Sequence, residues 1–201
     1  NNYGTGFTPY FMPLALWVGA LIQFFILNMR DNRFVTLGVN RFTMTIGKWG
    51  TFAVLGALQA IIASFSLIAF LHLHPVNVIG FYLFNILLSW CFVSILYLLV
   101  QVLGMAGRFF GLVLLMLQLT SDAGTFPLVL VPNFFRAINP YLPMTYGAAA
   151  LRQLVSGSAS ISLSFSIWMI VAFTVGALGL SILTNVHWLR AVDLQPSEAT
   201  A

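Results

Sequence analysis

Long apolar runs, broken by short clusters of arginine, glycine and proline, set the pattern of this chain. They fall at about 10–28, 50–71, 78–103, 109–124 and 161–186. A helix needs about 20 apolar residues to cross a hydrocarbon layer. The runs are too long and too continuously apolar for the alternating strands of a barrel. They therefore predict an all-α integral membrane domain with five transmembrane helices. Pro9 and Pro13 open the first run, where a helix tolerates proline in its first turn. A mixed loop at 29–49 follows, then the turn His72–Pro75 and the turn Gly104–Arg108. Trp49 and Trp188 stand at run ends, as interfacial aromatics do.

The stretch 125–157 is apolar but cannot be a continuous span. Pro127, Pro132, Pro140 and Pro143 interrupt it, and each removes a backbone donor and clashes with the preceding turn. Two short helical pieces remain, at about Asn133–Ile138 and Thr145–Ser156, with Thr145 as N-cap and Gly157 as the stop. The second is about 18 Å long at 1.5 Å per residue, too short to span. Re-entrant or interfacial helices at the outer face, before the last span, are the physical solution, because irregular backbone at that depth must be covered by protein or water.

Composition changes the picture by removing alternatives. Of 201 residues 60% are apolar and 6% charged, where a soluble domain carries about a quarter charged. The natural solvent is therefore a lipid bilayer. The net charge of +4 comes from basic residues that lie between apolar runs, not in a patch with aromatics, which excludes nucleic-acid binding. Placing Asn1 outside puts Arg30, Arg33, Arg41, Lys48, Arg108 and Arg190 inside and leaves only Arg136 and Arg152 outside. The positive-inside rule thus favours an outer N-terminus and a cytoplasmic C-terminus. The opening Asn1–Gly6 has no start methionine or basic n-region, so it is not a signal peptide. The chain reads as beginning partway through a longer protein, with an upstream signal or span expected.

The residues Gly124-Thr125-Phe126-Pro127, Pro132-Asn133-Phe134-Phe135, Asn139-Pro140-Tyr141-Leu142-Pro143-Met144-Thr145-Tyr146 and Leu151-Arg152, with the opening Tyr10-Phe11-Met12-Pro13-Leu14-Ala15-Leu16-Trp17-Val18-Gly19-Ala20, resemble the C-terminal membrane region of the phage infection protein (YhgE/Pip) family. That family belongs to the ABC-2 type transporter membrane-domain group. The resemblance covers nearly the whole chain and implies a single domain over 1–201 in a bacterial cell membrane. It implies six spans, counting one upstream, and pairing as a homodimer. It also implies a large extracellular region that phage can contact and a separate ATP-binding subunit. No Gly-x-x-x-x-Gly-Lys-Ser/Thr loop is present, so the chain is not the ATPase itself.

Within that resemblance the loop 29–49 is where a coupling helix would meet the ATPase. Arg30, Arg33, Phe34, Arg41 and Phe42 are the candidates, with Leu37 at the same near-helical spacing. An interfacial helix that only sets orientation reads equally well. At the outer face the candidates for a gate are Asp122, Pro127, Pro132, Arg136, Pro140, Pro143 and Arg152. Asp122, where the family has a small neutral residue, reads either as a gate paired with Arg136 or Arg152, or as an acid ending a helix. The arginines alternatively snorkel to headgroups.

The amides Gln23, Gln59, Gln101 and Gln118 fall mid-span, where interhelical hydrogen bonding is their default role. Gly56-Ala60-Ser64 and Ala172-Gly176 form small-residue stripes that let helices approach, within the chain or across a dimer. His72 and His74 read as a wet outer turn, and Cys91 as a packing residue. No catalytic or metal-ligating constellation is visible, so neither an enzyme nor a cofactor is expected.

Overall fold

With lipid as solvent, a chain must satisfy its backbone polar groups internally, and helix is the local way to do so. The computed structural model describes residues 3–27, 41–121, 132–157 and 161–193, and of 3–5, 41 and 185–193 the backbone alone. These residues form helices α1 (Tyr3–Ile26), α2 (Arg41–Phe70), α3 (Val78–Leu103), α4 (Met105–Ser121), α5 (Asn133–Ile138), α6 (Pro143–Ser156) and α7 (Leu163–Asp193), with a 3-10 turn at Asn139–Tyr141. No strand occurs among the described residues. Four stretches are long and apolar enough to cross a membrane: Gly6–Ile26, Phe42–Phe70, Val78–Leu103 and Leu163–Thr184. Helix α4 has 17 residues, about 25 Å of length against a hydrocarbon core of ~30 Å.

Helix α3 is the axis of the bundle and packs against α1, α2, α4, α6 and α7. The side chain of Asn77 caps its start by accepting the Gly80 N–H at 2.9 Å. Gly104, at φ 59°, ends it. That left-handed conformation suits a residue without Cβ, and it lets α4 begin one residue later and fold back along α3. Gly107 and Gly111 make the return close: a Cβ at Gly107 would collide with the Leu99 carbonyl oxygen, and one at Gly111 would come within 2.7 Å of Leu96.

Three local readings are corrected by the helix limits. Pro9 and Pro13 lie inside α1 rather than in its first turn, because the helix starts at Tyr3. Interior proline is tolerated where neighbouring helices meet the freed backbone groups. Helix α2 starts at Arg41, so 41–49 continues the span. Trp49 then lies two turns into α2, where its Nε1–H donates to the Ser94 hydroxyl at 2.9 Å and its ring meets Trp90. It is a packing residue, not an end marker. The N-cap of α6 is Leu142, not Thr145, while Gly157 ends the helix in the left-handed region as expected.

The stripe Gly56-Ala60-Ser64 packs within the chain. Gly56 faces Ser89 and Val93, and Ser64 accepts a 2.9 Å hydrogen bond from the Asn85 amide. Both Asn85 and Ser64 are fully buried. A double-mutant cycle of Asn85→Leu and Ser64→Ala, read by unfolding in mixed micelles, should give a coupling of about 1 kcal/mol. A coupling of zero would mean that the pair does not hold α2 on α3. The second stripe behaves differently: Ala172 and Gly176 are exposed, and nothing lies within 4 Å of a Cβ built at Gly176.

Candidate functional site

The prolines before α6 place it unusually. Gly147 of α6 lies against Leu88 of α3, with a Cβ there 2.9 Å from the leucine. Farther along α6, Leu154 lies against Gly80, and its carbonyl accepts the Val76 N–H at 3.0 Å. The two helices therefore run antiparallel. Leu88 is ten residues into α3, about 15 Å along the axis. Pro143 lies one turn beyond Gly147, so α6 starts beside the middle of α3 and ends level with its beginning. Ten of the 14 residues of α6 are buried, held by α1, α3 and α7. Tyr146 contacts the rings of Phe165 and Phe173 at 5.9 and 6.3 Å.

Helix α4 ends beside the turn that leads into α6. Its buried residues are Gly107, Gly111, Leu115, Gln118 and Ser121, spaced three and four apart on one face. The face is apolar at the Gly104 end and polar at the other. There the Asn139 amide donates to the Ser121 carbonyl at 2.7 Å, and the Asn139 carbonyl accepts the Thr145 hydroxyl at 2.9 Å. The Tyr146 hydroxyl donates to the Pro140 carbonyl at 2.7 Å. These bonds tie the end of α4, the 3-10 turn and the first turn of α6 into one polar junction of neutral donors and acceptors.

Of the outer-face candidates, Pro140 and Pro143 belong to this junction, Pro140 exposed and Pro143 buried. Pro132 is the N-cap of α5 and exposed, and Arg136 is exposed in the last turn of α5. Arg152 is half-buried on α6. Asp122 and Pro127 lie outside the described residues, as do Arg30, Arg33 and Phe34 of the candidate coupling loop. Arg41 begins α2, and Phe42 beside it is exposed.

Three of the mid-span amides link helices. Gln23 donates to Gln59 at 3.3 Å, Gln59 donates to the Ala15 carbonyl at 2.9 Å, and Gln101 donates to the Ser181 carbonyl at 2.8 Å. Gln118 makes no such link among the described residues and is fully buried on α4, one turn before Ser121. Ser121 and Asn139 are functional candidates that the sequence reading missed; the signal available was an asparagine placed directly before a proline.

Outside this junction the molecule is clad in hydrocarbon-loving side chains. Leu58, Ile61, Ile62 and Phe65 on α2, Phe109 and Met116 on α4, and Trp168 and Val175 on α7 are all exposed. A soluble monomer does not expose contiguous apolar surface on this scale. With four spanning-length helices, the chain is of the multi-pass helical membrane class. It is similar to the uncharacterized protein YhgE of Bacillus subtilis (strain 168), with 34% identity over 155 residues that make up 77% of this chain and 20% of the relative. The chain thus spans about one fifth of the curated relative it matches. No family model matches it, and no solved structure does.

Proposed function

We propose that the chain is the permease-like membrane domain of an ABC-2 type transport or export system for an envelope molecule, working in a bacterial cell membrane with a separate ATP-binding subunit. The observation that supports this reading best is the polar junction where α4 ends and α6 begins. A mere anchor gains nothing from polar groups buried at half depth, which cost stability in hydrocarbon. A pathway for a polar molecule needs them. In this reading α4 is the short fifth span, and α5 and α6 form a re-entrant element entering from outside. Two copies of the domain pair across the membrane. The ends bearing Arg41, Arg108 and Arg190 face the cytoplasm, and the stretch that leads into α2, with Arg33 and Arg41, carries the contact to the ATPase.

The test is recovery of the full-length protein from native membranes in lipid discs, with quantification of any ATP-binding subunit. The expected result is an ATPase that co-purifies and is lost with Arg33→Glu or Arg41→Glu. Absence of any ATPase, with envelope export unchanged by those variants, would sink the proposal. A second reading is supported by the length of the relative, most of which lies beyond the matched part. In it the helices anchor a large extracellular domain that serves as a phage receptor or secretion accessory. Phage adsorption that survives exchange of this domain for an unrelated anchor would favour it.

A further inference from the structure

Gln118 is fully buried, yet neither its Nε2 nor its Oε1 has a hydrogen-bond partner; Ser121, one turn later and also fully buried, has an unpartnered Oγ. Leaving such groups dry costs about 1–3 kcal/mol each, and more in a surrounding that holds no water. Serine has an easy escape, which is to donate to the carbonyl four residues back. Thr120, Thr174 and Ser181 take it at 2.8 Å each. Ser121 does not, and the side chain of Gln118 is bonded to no backbone carbonyl. Both sit on the buried face of α4, and the Ser121 end of that face meets the 3-10 turn that leads into α6. The first turn of α6 does not meet their need, since Pro143 has no N–H and the Thr145 N–H bonds the Leu142 carbonyl at 3.2 Å; the neighbour drawn to this end of α4 is the 3-10 turn, through Asn139.

The geometry points to a water-binding site inside the bundle, floored by Gln118 and Ser121 and bordered by the 3-10 turn that Asn139 ties to the end of α4. Water fits because it both donates and accepts, as the amide and the hydroxyl together require. Access runs past the 3-10 turn, where Pro140 and Tyr141 are exposed. The opposite face of α4 is lipid-facing, with Met116 64% exposed.

The site can be tested on the full chain in lipid discs with Cys91 replaced by alanine. A membrane-impermeant cationic methanethiosulfonate is attacked by thiolates, which displace methanesulfinate to form a mixed disulfide and which form in water, not in hydrocarbon. Ser121→Cys should be modified at least about ten-fold faster than Met116→Cys, since a thiol bathed in water ionises and one facing lipid does not. Native Cys91 is as fully buried as Ser121 but lies against Thr174 of α7 rather than beside the 3-10 turn, and should stay unmodified in the unsubstituted protein. Hydrogen exchange in that same unsubstituted protein gives a second reading that no misfolded variant can obscure. The amides of 144–147 should exchange faster than those of 88–93 on α3. Labelling of Ser121→Cys no faster than Met116→Cys in a monodisperse variant overturns the proposal. So does exchange in α6 as slow as in α3. Neither readout involves an ATPase or a transported molecule, so this inference and the transport reading can fail separately.

Discussion

Replacing Gly107 with valine should cost about 3 kcal/mol or more of stability, the upper range for overpacking a close-packed interior. The size follows from what the new side chain meets. A Cβ at Gly107 collides with the Leu99 carbonyl group and lies 2.8 Å from the Val100 Cα. These are backbone atoms of α3, which has no rotamer to change, so α4 must move away as a unit. Its displacement would also strip Gly111 from Leu96 and Leu21 and pull the Gly111 carbonyl from the Trp17 indole, which donates to it at 3.2 Å. Gly176→Ala is the matched control. It adds a Cβ with nothing within 4 Å and should leave stability unchanged or slightly raised, since alanine is the better helix former. Thermal unfolding in detergent, followed by tryptophan fluorescence, separates the two. Equal midpoints for Gly107→Val and Gly176→Ala would refute the close α3–α4 approach.

How far the sequence could be read follows from what each signal encodes. Asn133–Ile138 and the stop at Gly157 were legible because proline and glycine act on the backbone locally, whatever packs nearby. The apolar runs were legible as helices for the same kind of reason. The start of α2 was not. Hydropathy falls across Gly47, Lys48 and Gly50, although a helix needs only acceptable φ and ψ to continue through them. Trp49 was misread with it, since only the register of α2 on α3 brings it to Ser94. The two small-residue stripes make the limit plain: Gly56-Ala60-Ser64 and Ala172-Gly176 share a spacing, yet one faces α3 and the other faces out. Spacing records that a close approach is allowed, not who makes it. The polar junction lies beyond that limit too. Gln118 was visible as a mid-span amide, but whether an amide finds a partner depends on which elements pack beside it.

Trp17→Ala should lower stability by about 3–5 kcal/mol, the range for truncating a buried large aromatic. Trp17 is fully buried where α1, α3 and α4 meet. Its ring stands edge-on to Phe92 at 4.9 Å, and its Nε1–H bonds to Gly111. In a bilayer the transfer of apolar surface from lipid to protein gains little, because lipid tails are as apolar as the core. The loss must therefore come from dispersion contacts given up around a cavity, together with the indole hydrogen bond. That places the expected value nearer 3 than 5 kcal/mol. Trp17→Phe divides the two causes: it keeps much of the contact with Phe92, frees the Gly111 carbonyl, and should cost about 1 kcal/mol, the usual net worth of one hydrogen bond. Unfolding in mixed micelles containing a denaturing detergent measures both. Were Trp17→Ala to cost less than Trp17→Phe, the indole would not be filling space at the three-helix junction. The hold on α1 would then have to come from α2 instead, through the stack of Phe24 on Phe52 at 4.3 Å.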